Sequence, residues 1–118
     1  MSPARPPLAP GVYRVAAVDD TVGTFAGSGW DVRLVTPATS TAGLYDALVD
    51  ALALPPWFGA NLDALWDCLT DLTAPTALVL RGWRTFERTE PEQARRVVEV
   101  LTERTLAEPA FAVALVQD

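Results

Sequence analysis

The sequence predicts a small α/β fold of three-layer type, with three or four mainly parallel strands packed by helices. Three observations carry that prediction. Short apolar segments alternate with segments of helical period, and that alternation implies crossover connections and a parallel sheet. One segment, Ala77-Leu78-Val79-Leu80, is apolar without interruption, as a strand covered on both faces requires. Half of the 118 residues are hydrophobic, enough for one domain to bury roughly two thirds of its unfolded surface without disulfides or metals.

The elements follow in order. Residues 1–10 hold four prolines and read as a disordered or extended lead-in. Gly11 to Val18 reads as a strand, and Asp19 to Gly29 as a turn-rich connection. Trp30 to Thr36 alternates apolar and polar residues, the period of a half-buried strand. Pro37 to Thr41 is a break in which Ser40 or Thr41 can cap a helix. That helix runs to about Ala53 on Leu44, Leu48 and Leu52. Pro55-Pro56 stops it, because proline disfavours a helical residue before it.

Trp57-Phe58-Gly59-Ala60 forms a loop, and Asn61 caps a second helix over 62–72. Thr76 to Arg81 is the buried strand. Trp83 to Glu87 is a brief helix. Thr89 and Glu92 have capping-box spacing, with Pro91 tolerated in the first turn. A helix from about Glu90 to Leu106 then buries Ala94, Val97, Val98 and Leu101. Pro109 lies beyond its end, and Phe111 to Val116 closes the sheet. There are no internal repeats.

Composition excludes several functions. The formal charge is −6, and all nine cations are Arg. A nucleic-acid binder needs a basic footprint to displace counterions, whereas an acidic surface suits fast association with a basic protein. Cys68 is the one cysteine, so no internal disulfide forms, which fits a reducing compartment. No apolar run has the length of a signal peptide or of the ~20 residues that span a membrane. The expectation is a cytoplasmic, soluble protein with no cofactor and no metal.

The 54–72 segment carries the chemistry. Asp63, Asp67 and Asp71 recur at four-residue spacing, with no Lys, Arg or His between Leu34 and Leu80. Like charges so placed cost a helix a few tenths of a kcal/mol per pair. At about 100° per residue, Leu62, Leu65, Leu69 and Leu72 share a core side with Cys68 at its margin. Asp63, Asp67 and Thr70 share the opposite side, with Asp71 at its edge and Trp66 at its flank. Asp63 sits in the first turn, where the helix dipole favours a carboxylate, and Asp71 near the last, where it does not. A solvated face is the ordinary reason for such a stripe. The neighbouring Trp57 and Phe58 give it the composition of a binding hot spot.

The run from Trp57-Phe58-Gly59 through Asn61-Leu62-Asp63-Ala64-Leu65-Trp66-Asp67-Cys68-Leu69-Thr70 closely resembles the signature of the barstar family, intracellular inhibitors of barnase-like secreted ribonucleases. Leu52-Ala53-Leu54-Pro55, and Leu78-Val79-Leu80 with Trp83-Arg84 and Phe86, resemble it too. The likeness covers roughly 31–116. It implies a single barstar-like domain over 11–118, with 11–30 an extension outside the family core. It also implies an immunity protein, not an enzyme, whose partner is a basic secreted ribonuclease or related bacterial nuclease toxin. The protein would be a monomer forming a one-to-one complex.

Under the same resemblance, Asp67 enters the nuclease active site in place of a substrate phosphate. Asp63 pairs with a cation at its rim, and Trp57 stacks over a catalytic histidine. Phe58, Gly59, Asn61, Ala64, Trp66, Thr70 and Asp71 complete the contact surface. Glu103 joins it by alignment of Val97-Val98-Glu99-Val100-Leu101. Departures from the family pattern fall on the rim: Phe58 lacks a tyrosine hydroxyl, Ala60 replaces a glutamate, and Asp71-Leu72 replace a glycine and a tryptophan.

Two other readings compete. A barstar-like scaffold could serve a partner that is not a nuclease. Alternatively, Asp63 and Asp67 could hold Mg²⁺ or act as a general acid/base pair. The chain has no His, no phosphate loop and no triad, and exposed carboxylates lack the burial that raises a pKa to a working value.

Overall fold

The computed structural model describes residues 9–16, 27, 29–55 and 59–118. The elements are β1 (Gly11–Val15), β2 (Asp31–Val35), α1 (Thr41–Leu52), α2 (Leu62–Thr70), β3 (Thr76–Leu80), α3 (Trp83–Thr89), α4 (Pro91–Arg104) and β4 (Phe111–Val116). The four strands form one parallel sheet in the order β1-β4-β3-β2. The α/β class and the parallel sheet are as the sequence predicts.

The inner strands β3 and β4 are buried at every position. Alternation along the strands sorts their side chains onto two faces. Leu78, Leu80, Phe111, Val113, Leu115 and Val35 point into one core. All four helices pack there, through residues such as Leu48, Leu65, Leu69, Trp83, Phe86, Val97 and Leu101. The other face carries Ala77, Val79, Ala112, Ala114 and Val116, all buried, with Trp30 against Ala77 and Ala112.

Several boundaries differ from the sequence expectation. β1 ends at Val15, so the strand read to Val18 is shorter, and Ala17 and Val18 lie outside the described residues. Ser40 is the cap of α1, its Oγ accepting the N–H of Gly43 at 3.0 Å. α1 stops at a left-handed Ala53, two residues before Pro55. α2 ends at Thr70 and not at residue 72. The N–H groups of Asp71 and Leu72 reach back only three residues, to the carbonyls of Cys68 and Leu69. The last turn thus tightens and the α-helical ladder ends.

The capping box expected at Thr89 does not form. Glu90 occupies the N-cap of α4 without a side-chain bond. Thr89 is the last residue of α3, and its hydroxyl lies within hydrogen-bond distance of the carbonyls of Thr39, Thr85 and Phe86. α3 reaches Thr89, two residues past the expected end, and α4 ends at Arg104, two residues short. Its buried stripe is Ala94, Val97, Leu101 and Arg104, with Val98 only partly buried.

Candidate docking ridge

α2 is a ridge held from beneath by leucine and open above. Leu65 and Leu69 are fully buried, while Leu62 and Leu72 pack partly buried against the same core. Asn61 starts the helix in an extended conformation, its Oδ1 accepting the N–H of Ala64 at 2.8 Å. Its Nδ2 donates to the carbonyl of Gly59 at 3.3 Å. A Cβ at Gly59 would lie 3.1 Å from that Nδ2 and 3.6 Å from the Ala64 methyl. Glycine therefore lets the incoming chain lie close on the helix start.

The opposite face is acidic. Asp63, Asp67, Thr70 and Asp71 are exposed and Trp66 is half-buried. Thr70 donates its hydroxyl to the carbonyl of Asp67 at 2.7 Å. Among the described residues no ion pair involves Asp63, Asp67 or Asp71. Cys68, at the margin of the core side, is half-buried. Burial, then Asp71 and Asp67, push its thiol pKa up, away from the thiolate that reactivity needs.

A groove flanks the ridge on each side. One, of about 580 Å³, lies between α2 and α4 and is walled by Asp63, Trp66, Arg96, Glu99, Val100 and Glu103. The other, of about 550 Å³, is walled by Ala64 and Asp67 from α2, by Asp71 at its C-cap and by Leu54, Pro55 and Gly59 from the preceding loop. The structure therefore brings Gly59, Asn61, Asp63, Ala64, Trp66, Asp67, Thr70 and Asp71 onto one ridge and sets Glu103 beside Asp63 and Trp66. Trp57 and Phe58 lie outside the described residues. Among those residues no three His, Cys, Asp or Glu side chains gather to hold a metal ion. Among the described residues no helix is long and apolar enough to cross a membrane.

A model of the family described as Barstar (barnase inhibitor) matches residues 34–116. The chain belongs to the barstar family. It is also 43% identical over 61 residues to a Bacillus subtilis protein named "Putative ribonuclease inhibitor YrdF". That match covers 51% of this chain and 67% of the relative. The barstar match begins within β2, so β1 lies outside it. The family is one of inhibitors, and the fold described above is barstar-like.

Two features of this barstar-family chain were not singled out from its sequence. Arg95 and Arg96 reach the α2–α4 groove but are engaged by their own helix. Arg95 pairs with Glu92 and, at 2.7 Å, with Glu99, while Arg96 lies 3.3 Å from Glu92. Those guanidiniums, Arg95 first, hold the Glu92 carboxyl below its usual range. The second is Arg104, which is fully buried. Its signal was the stripe itself, since position 104 continues the helical spacing of Ala94, Val97 and Leu101.

Proposed function

We propose that the chain is a cytoplasmic immunity protein that blocks the active site of a barnase-like ribonuclease. One observation carries this reading. Asp63 and Asp67 stand exposed on a capped, core-anchored helix, and no cation of the chain pairs with either among the described residues. The complement of such a surface is a basic cleft. A ribonuclease active site is one, because it must hold phosphate.

Asp67 occupies the phosphate position and accepts charge-assisted hydrogen bonds from the enzyme's cationic side chains. Asp63 and Glu103 meet cations at the rim, with Trp66 lining the same groove. Gly59, Asn61, Ala64, Thr70 and Asp71 shape the surface, and Trp57 and Phe58 supply aromatic contact next to it. Residues 11–118 act as one domain, and 11–30 extend the family core. The partner is a basic secreted ribonuclease bound one to one, and no metal or cofactor takes part.

The test is RNA cleavage by a barnase-family ribonuclease, titrated with wild type and with Asp67→Ala. Wild type is expected to stop cleavage near one equivalent, while the variant needs far more. Failure of wild type to inhibit overturns the barnase-like ribonuclease as partner and leaves another nuclease or no nuclease, the latter being the scaffold reading.

A further inference from the structure

α2 must be held at a fixed angle for three acidic side chains from two helices to meet one rigid cleft. Its leucines fix depth. They do not fix the position of its C-terminal turn along α4, because apolar packing is non-directional. A directional contact does exist. Arg104 of α4 is 0% exposed. Its Nε donates to the carbonyl of Leu69 in the last turn of α2 at 2.8 Å. Its Nη1 donates to the carbonyls of Ala107 and Pro109 in the α4–β4 turn, at 3.1 and 3.0 Å. The guanidinium carbon lies 5.3 Å from the centroid of the Phe111 ring.

A buried guanidinium is a poor choice for stability alone. Desolvating an ion costs several kcal/mol, and an apolar residue of similar volume often serves as well or better. Here Nη2 is buried without a hydrogen-bond partner among the described residues, and burial lowers the pKa of the group. No carboxylate pairs with it among the described residues. Its partners are carbonyl oxygens, including one at the negative end of the α2 dipole. A Leu or Met would complete the Ala94–Val97–Leu101 stripe without that penalty. What an apolar side chain would not supply is a fork joining two elements in one geometry.

We propose that Arg104 is a positioning residue for partner binding. It locks the C-terminal turn of α2 to the α4–β4 turn and so sets the Asp63–Asp67 ridge at a fixed distance from Glu103. Leu69 lies two residues after Asp67, and Glu103 directly precedes Arg104. Loosening the fork therefore moves both sides of the acidic surface relative to each other. This role rests on the inhibitor reading above, and binding energy is retained in proportion to such preorganisation.

The experiment uses the full chain and catalytically silenced barnase as the probe. Arg104→Met keeps the volume and loses the fork. Arg104→Lys keeps the charge but cannot span all three carbonyls, and it serves if the Met variant does not fold. Val35→Ala, in the core on β2, is a control for general destabilisation. The expected result is dissociation accelerated about tenfold for Arg104→Met, or ~1.4 kcal/mol, with association changed less than about twofold. Arg104→Lys falls between, and Val35→Ala dissociates like wild type. Glu103→Ala is expected to cost less in the Arg104→Met background than in wild type.

Dissociation of Arg104→Met at the wild-type rate, or equal acceleration in Val35→Ala, overturns the role. If wild type does not bind the probe, the barnase-like reading of the partner fails, and hydrogen exchange in the free protein decides the fork. Faster exchange at the Asp71 and Leu72 amides in Arg104→Met than in Val35→Ala supports it, and equal exchange overturns it.

Discussion

Arg14 and Glu87 lie 73 residues apart in sequence and meet in a two-pronged ion pair, Nη1 to Oε1 at 3.1 Å and Nη2 to Oε2 at 2.8 Å. The pair ties β1, outside the barstar match, to α3 inside it. Glu87 raises the pKa of the Arg14 guanidinium. Both side chains are about half exposed, at 52% and 40%, so Arg14→Ala should cost under ~1 kcal/mol in chemical denaturation. The larger consequence of β1 is geometric. It pairs with β4 over five registered positions and makes β4 an inner strand. Deleting residues 1–16 bares the edge of Phe-Ala-Val-Ala-Leu-Val, an uncharged apolar strand of the kind that pairs with other chains. Concentration-dependent self-association in sedimentation is expected, and a monomer at all concentrations would refute the edge role.

The two faces of α2 should separate binding from stability. Asp67→Ala is expected to weaken ribonuclease binding by ~2 kcal/mol or more, the scale of interface hot spots for which barnase–barstar is itself a reference system. Its melting temperature should stay near that of wild type. Leu65→Ala, at 0% exposure, is expected to cost ~2–4 kcal/mol of folding stability. A Leu65→Ala melting curve equal to that of wild type would contradict its place beneath the ridge.

Asn61 caps α2 in the free protein. Its Oδ1 takes the Ala64 N–H at 2.8 Å, and Asn61→Ala leaves that donor without its cap. The expected loss is ~1 kcal/mol. Asn61→Asp, which retains the acceptor and adds charge at the positive end of the dipole, should recover most of it. Equal stability of Asn61→Ala and wild type in urea would show that the cap adds nothing.

Asp118 supplies a pH dependence. Its Oδ1 accepts the N–H of Gly82 at 2.9 Å, and Arg81 Nη2 lies 3.4 Å from Oδ2. The Gly82 N–H, with Arg81 as a lesser influence, holds the carboxyl below its ordinary value. A group with a depressed pKa in the folded state contributes stability that is present above the unfolded value of ~3.9 and lost as pH falls through the folded value. Asp118→Asn should therefore be less stable than wild type near neutrality. The difference should shrink as pH drops below about 4. Parallel stability curves for the two proteins across that range would exclude the contact as a source of acid sensitivity.

On the inhibitor reading proposed above, association with the partner should depend on salt. With a formal charge of −6 and a basic partner, the on-rate should fall as ionic strength rises, while dissociation changes little. Stopped-flow association at two salt concentrations checks this, and a salt-independent on-rate would count against electrostatic steering.

Local chemistry was enough to determine much of this protein from sequence alone. The order and type of the four described strands and four described helices follow the residue period and the turn residues, while several of their ends do not. Ser40 and Asn61 cap the helices they precede, because a side-chain oxygen next to free N–H groups acts within three residues. The two faces of α2 also follow from spacing, since Leu65 and Leu69 cannot share a side with Asp63 and Asp67. Tertiary structure alone decided what depends on distant partners. Thr89 does not cap α4, because its hydroxyl sits between carbonyls of α3 and that of Thr39. Glu103 comes to stand beside Asp63 and Trp66 only when α4 packs along α2. Arg104 sits on a legible apolar stripe, yet a buried cation is tolerated only where carbonyls converge on it, and its three come from residues 69, 107 and 109. Spacing along one helix cannot encode that convergence, because two of its sources are segments whose placement is set by the sheet.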